Sequence, residues 1–200
     1  LPYSAGIAGT GVVAVVEGKN ASSKTVALRA DMDALPITEA NDVAYKSTVP
    51  GVMHACGHDA PTASLLGVAK ILSQLKTEFE GTVKLIFQPA EERSPGGASL
   101  MIKEGVLENP TPKGIIGQHV FSMLPAGTVG FRSGMMMSSA DEIELSIFGV
   151  GGHGAVPQLT VDPIMISAQV ISTLQQFIRS INAPTIPFKL TIINIESATP

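Results

Sequence analysis

Short β-branched runs alternate with segments of helical periodicity between Gly11 and Val120, and this alternation restricts the fold more than any other feature. Gly11–Val16 is one such run, closed by the turn signal Glu17-Gly18-Lys19-Asn20, and Thr25–Leu28 is a second, so two neighbouring strands are predicted. After Asp59, a predicted N-cap, Leu65, Val68, Ala69, Leu72 and Leu75 recur at three- and four-residue spacing. That spacing predicts a helix to about Lys76 with one buried face. Pro61 falls in its first turn, where no amide hydrogen bond is lost. Thr82–Phe87 reads as another strand, running into Gln88-Pro89-Ala90-Glu91-Glu92. Gly96-Gly97 opens a short helix that Gly105 closes, and Ile115–Val120 is a further strand. Strands and helices in alternation give an α/β fold, a sheet flanked by helices.

From about Ser138 the pattern changes. Glu142–Ile147 alternates strictly, as a strand with one face in water does. Gly149–Ala155 is a glycine-rich loop carrying His153. Asp162 as N-cap and Pro163 at the first helical position then open a helix with Ile164, Ala168, Ile171, Leu174 and Ile178 on one face. Phe188, Leu190 and Ile192 alternate again. The expected organisation is two domains, 1–137 and 138–200, the second being part of a small α+β domain. A chain that starts at Leu1 and stops at Pro200 just after a strand pattern reads as a fragment.

Composition narrows the partners. The 200 residues are 44% apolar, enough for a substantial core. A net charge of -4 with no Lys/Arg run argues against nucleic acid or an anionic membrane surface and favours small polar substrates. The run from Ile7 to Val16 is broken by Gly9 and Gly11 and is neither a signal peptide nor a membrane span. The single cysteine, Cys56, cannot form an internal disulfide, so a reduced, cytoplasmic setting is expected.

Chemistry gathers where the predicted strands end. Asp31 and Asp33, Cys56 and His58, Glu91 and Glu92, and His119 each follow a strand run, and strand ends on one edge of a sheet converge in space. A lone cysteine is more often a buried small hydrophobe. Cys56, however, stands between His54 and His58 on a turn containing Gly57. Thiolate, imidazole and carboxylate together suit zinc or manganese better than calcium or magnesium. Redox-inactive hydrolysis is the natural use of such a set, with a hydroxide shared between two ions as the nucleophile. Adjacent glutamates on an extended segment diverge, so one of Glu91 and Glu92 binds metal while the other stands off as the base. His54 is expected to support the site without binding metal. The Met135-Met136-Met137 run is read as packing at the domain junction.

Five stretches together carry a family resemblance: Ala27–Pro36, Met53–Asp59, Phe87–Glu92, Gly117–Val120 and Gly151–Pro157. The chain resembles the metal-dependent aminoacylase/carboxypeptidase family, and within it the amidohydrolases that include hippurate hydrolases, N-acetyl-diaminopimelate deacetylases and auxin-amino acid conjugate hydrolases. The resemblance implies a di-metal exopeptidase-like catalytic domain with a central mixed sheet, and a smaller ferredoxin-like lid domain through which the protein forms a homodimer. It implies two divalent metal ions, Zn or Mn, held by Cys56, His58, Glu92 and His119, with Glu91 as general acid/base and Asp33 supporting the ligands. Asp31 takes the position of a metal-binding His in related aminopeptidases and is left out of the ligand set. His153 matches a lid residue that reaches the substrate carbonyl. The implied reaction is hydrolysis of the amide of an N-acyl or N-acetyl amino acid, or of a short peptide. The alternative is a non-catalytic amino-acid or peptide-binding module on the same scaffold. It is motivated by Pro61 and Gln158, which stand where the subgroup usually has His. The family's last metal ligand lies in a C-terminal segment beyond this sequence.

Overall fold

A computed structural model describes residues 1–137, 139–181 and 188–197. The chain divides into two compact units, Leu1–Phe131 and Arg132–Pro200.

The first unit is built on a five-stranded mixed sheet. Its strands are β1 (Tyr3–Ile7), β2 (Gly11–Glu17), β3 (Thr25–Asp31), β4 (Thr82–Gln88) and β5 (Ile115–Gly117), in the order β1-β2-β4-β3-β5. The pairings β1–β2 and β2–β4 are antiparallel, and β3 runs parallel to both β4 and β5. The expectation that Gly11–Val16 and Thr25–Leu28 are neighbours is corrected here, because β4 lies between them. The reason is burial. Every residue of β4 except the half-buried Val83 is buried, including Lys84 and Gln88, so this strand needs cover on both faces and a partner on both edges. The edge strand β1, with four of its five residues exposed, lacks the apolar signal that marked the other strands.

Two helices cover the sheet. Helix α1 (Asp59–Gln74) sets Leu65, Ala69 and Leu72 against Ala14, Val16, Ala30, Leu85 and Phe87. Helix α2 (Gly97–Lys103) sets Met101 against Ala27 and Ile86 in a second cluster. Since β4 sends Leu85 and Phe87 to one cluster and Ile86 to the other, the sheet is the middle layer of three. The helix start differs from expectation. His58 occupies the N-cap in helical conformation and without a side-chain cap, and Asp59 is the first helical residue. Leu75, predicted on the buried face, is the C-cap and is exposed.

In the second unit, helix α3 (Pro163–Ile181) begins as predicted: Asp162 Oδ1 accepts from the amides of Ile164 at 2.8 Å and Met165 at 3.3 Å. Its covered stripe is rotated from the predicted one. Ile166, Val170, Ile171 and Ile178 are half-buried, whereas Ile164 and Ala168 are exposed. The predicted strands Glu142–Ile147 and 188–192 do not form among the described residues. A one-sided strand is stable only with a ladder partner, and the pairing described in this unit is an isolated bridge between Val150 and Val161. Met135, Met136 and Met137, read as junction packing, are exposed. No described helix is long and apolar enough to cross a membrane.

Candidate metal centre

Because β3, β4 and β5 are parallel, their C-terminal ends lie on one edge of the sheet. Asp33 leaves β3, Glu91 and Glu92 follow β4, and His119 follows β5. Cys56 and His58 reach the same edge on the turn entering α1. Two groups of ligand atoms, each with all members within 4.8 Å of one another, share His58: Cys56, His58 and His119, and His58, Glu91 and Glu92.

The imidazoles are oriented by their own hydrogen bonds. His58 Nδ1 lies 2.9 Å from the carbonyl oxygen of Asp33. A carbonyl can only accept, so Nδ1 carries the proton and donates, leaving the Nε2 lone pair free. That Nε2 belongs to a ring with 0% exposure, has no hydrogen-bond partner, and lies 4.0 Å from Glu92 Oε1. His119 repeats the pattern. Its Nδ1 donates to the Val120 carbonyl at 2.6 Å, and its Nε2 is 3.2 Å from Cys56 Sγ. The two rings meet edge to face at 5.4 Å. A buried nitrogen left without a partner costs about 1–3 kcal/mol, and a cation is the group that would relieve it here.

Asp33 supports this arrangement from beneath. Its Oδ2 accepts the Glu92 amide at 3.0 Å, and its Oδ1 lies 3.3 Å from His58 Nδ1. Burial alone would raise its carboxyl, but the amides of Glu92 and Glu91, its own amide and His58 outweigh that and hold it below the ordinary carboxylate range. Asp31 goes the other way. Burial pushes its carboxyl up, against the opposing pull of the Arg29 guanidinium and His58. Arg29 pairs with Asp31 and also donates from Nε to Gln88 Oε1 at 2.9 Å, tying the ends of β3 and β4 together. The Arg29–Gln88 tie gave no sequence signal, since neither residue belongs to a recognisable spacing.

The Cys56 thiol is pushed up to about 11 by burial, a hydrogen bond with Glu92 and the charges of Glu92, Glu91 and Asp31. Burial and three carboxylates, Glu92, Glu91 and Asp31, all favour the protonated thiol, and a metal dication is the group that would reverse that balance. Sulfur, two free imidazole nitrogens and carboxylate oxygens form a donor set that fits zinc or manganese.

Glu91 and Glu92 sit differently from expectation. They lie on a turn after Ala90, whose φ of 52° bends the chain, so both carboxylates reach His58 instead of diverging along an extended segment. His54 is exposed, and its carbonyl accepts the Gly57 amide at 3.1 Å. Gly57 has φ 83°, and a Cβ there would lie 2.5 Å from Val120 Cγ2. In the second unit, exposed His153 accepts the Ala155 amide on Nδ1 at 3.1 Å, which leaves the proton on its Nε2.

A family model described as Peptidase family M20/M25/M40 matches residues 27–193. The chain belongs to this family. Among M20 relatives, it is 44% identical over 190 residues to an N-acyl-L-amino acid amidohydrolase of Geobacillus stearothermophilus, covering 95% of this chain and 50% of the relative. A solved M20 structure, YXEP of Bacillus subtilis, is described as a dinuclear metal binding peptidase. It matches with TM-score 0.58 and 46% identity over 62% of this chain and 34% of that one. A solved structure from methicillin-resistant Staphylococcus aureus matches with TM-score 0.70 and 36% identity over 92% of this chain and 48% of that one. The chain therefore spans about half the length of the curated relatives it matches. Membership in M20 agrees with the resemblance carried by the five stretches and with the mixed sheet flanked by helices.

Proposed function

We propose that this chain is the metal-binding part of an enzyme that hydrolyses the amide bond of N-acyl amino acids or short peptides. Cys56, His58, Glu92 and His119 hold two divalent ions, zinc or manganese. The observation that carries the reading is the pair of imidazoles, each committed through Nδ1 to a carbonyl, whose free Nε2 atoms meet a thiol and two carboxylates at one sheet edge. The relative named for N-acyl-L-amino acid hydrolysis and the neighbour described as dinuclear support the substrate class and the metal count.

When bound, the ions supply Lewis acidity to the substrate carbonyl and lower the pKa of a water. Glu91 then does the proton work. Exposed at the mouth of the centre, it takes a proton from the attacking water and delivers it to the leaving nitrogen. Glu92, its amide pinned by Asp33, stays with the ligands. His58 offers one lone pair only and so serves one ion, which leaves the second to Cys56, His119 or a carboxylate. The Nε2–H of His153 is a donor suited to the oxyanion that forms on the substrate carbonyl. Residues 138–200 serve as part of the lid, through which two copies form a homodimer. A reducing cytoplasmic compartment suits a thiolate ligand.

The test is Glu91→Gln in the full-length protein, with metal content and turnover of a panel of N-acyl amino acids measured side by side. Turnover should fall about 100- to 10,000-fold with metal content unchanged. Wild-type turnover in the variant would refute the assignment of Glu91.

A further inference from the structure

We propose that Thr62, which lies outside every motif discussed above, is a positioning residue for the metal centre, its hydroxyl fixing where His58 presents its free nitrogen. The inference rests on the metal-binding reading and deepens it.

Helix α1 starts in a way that leaves its first turn weakly anchored. The N-cap is His58, whose side chain makes no capping hydrogen bond because its ring is turned into the centre. Two side chains of this turn instead reach back to the chain leaving β3. His58 Nδ1 donates to the Asp33 carbonyl at 2.9 Å, and Thr62 Oγ1 donates to the Asp31 carbonyl at 2.6 Å. Thr62 is also bonded to His58 directly, its amide donating to the His58 carbonyl at 3.1 Å.

The spacing makes these two bonds a matched pair. Residues four apart lie on one face of a helix and advance about 6 Å along it. Residues two apart in extended chain advance about 6.6 Å with carbonyls pointing alike. His58 and Thr62 on the helix therefore meet Asp33 and Asp31 as two rungs of similar length. Without the hydroxyl, the first turn of the helix would be hydrogen-bonded to the end of β3 and the chain leaving it through the His58 ring alone. The ring would then have to hold the helix and aim at a metal at once, and small shifts of α1 would be transmitted to Nε2. With the hydroxyl in place, the Thr62 rung takes the tethering and the ring is left to aim.

The experiment uses the full-length protein, reading Zn²⁺ affinity by competition with a chelator and the absorption spectrum of the cobalt(II)-substituted form. Thr62→Val keeps the volume and removes the donor. It should lower Zn²⁺ affinity about 10- to 100-fold, the range for losing a group that orients a ligand, and change the cobalt spectrum. Thr62→Ser, which restores the hydroxyl, should bring both back to the wild-type values. If Thr62→Val does not fold, Thr62→Ala, a strong helix former without added bulk, is read in the same way. His58→Ala separates the two levels of the argument. Loss of affinity in His58→Ala with wild-type affinity in Thr62→Val or Thr62→Ala overturns the positioning role alone. Wild-type affinity in His58→Ala overturns the metal-binding reading and the positioning role with it.

Discussion

Gly57 is the residue whose replacement should disturb the candidate centre most per atom added. It has φ 83°, and it separates Cys56 from His58. An alanine there bears two costs. The left-handed conformation alone costs about 1–2 kcal/mol for a residue with a Cβ. The new Cβ would also stand 2.5 Å from Val120 Cγ2, against a comfortable carbon separation of about 3.5–4.0 Å. Val120 is β-branched and stiff at χ1, so relief requires moving backbone on one side or the other. Overpacking of this kind costs about 1–3 kcal/mol. Gly57→Ala should therefore lose about 2–5 kcal/mol of stability, the sum of those two ranges. Gly51 supplies the control, having φ 73° with nothing within 4 Å of its would-be Cβ, so Gly51→Ala carries the conformational part only. Urea denaturation of both variants isolates the contact term. Adding Val120→Ala to Gly57→Ala should recover it, as a double-mutant cycle between touching groups requires. The metal readout is sharper still, because the backbone that must move carries Cys56 and His58 on one side and follows His119 on the other. Zn²⁺ affinity should fall in Gly57→Ala and hold in Gly51→Ala. Equal stability and equal affinity in the two variants would refute the steric argument.

Two further outcomes are expected. Cys56→Ser replaces a soft donor by a hard one, so zinc binding should weaken more than manganese binding; unchanged stoichiometry and affinity for both ions in metal titrations would show that the sulfur binds neither. Lys84 is buried with its Nζ donating to the Val106 carbonyl at 2.9 Å and the Glu108 carbonyl at 2.6 Å, and burial pushes its ammonium below the ordinary lysine range against the pull of Glu108. A lysine with a lowered folded-state pKa disfavours folding while it is charged in both states, and that penalty lifts as pH rises from the folded value towards about 10.4, its unfolded value. The neutral amine still has N–H groups for both carbonyls. Wild-type stability should therefore rise, relative to Lys84→Met, between neutral pH and about pH 10, and parallel denaturation curves for the two proteins across that range would contradict this.

Much of the centre was legible because its residue types are rare in combination and because Asp33, the Glu91–Glu92 pair and His119 each follow a strand run; Cys56 and His58, also expected at a strand end, lie instead on the turn entering α1, with no strand between β3 and that helix among the described residues. Cys56, His58, the Glu91–Glu92 pair and His119 could be nominated from residue type and position, with the family resemblance implying Glu92 as the ligand of the pair, and the parallel set β3, β4 and β5 brings the segments carrying Asp33, the glutamates and His119 to one edge. Three elements were less legible. The exposed edge strand Tyr3–Ile7 has no buried face to leave a pattern in the sequence. The strands expected at 142–147 and 188–192 had the alternation but not, among the described residues, the pairing. Alternation records which side of a strand is apolar, whereas a strand exists only when another backbone accepts its hydrogen bonds.

What the sequence by itself determined is local: where β-branched runs and helical faces lie, that Asp162 caps α3, and which side chains carry metal-binding chemistry. The insertion of β4 between β2 and β3 was decided by the tertiary structure, since burial on both faces is satisfied only by partners distant in sequence. So was the direction of each imidazole. The histidine at 58 is specified by the chain, but its free nitrogen faces Cys56 and the glutamates only because the Asp33 carbonyl, from the loop that leaves β3, has taken the other one. A side chain's identity is a property of one position, while its proton, its aim and its charge depend on neighbours that only folding assembles.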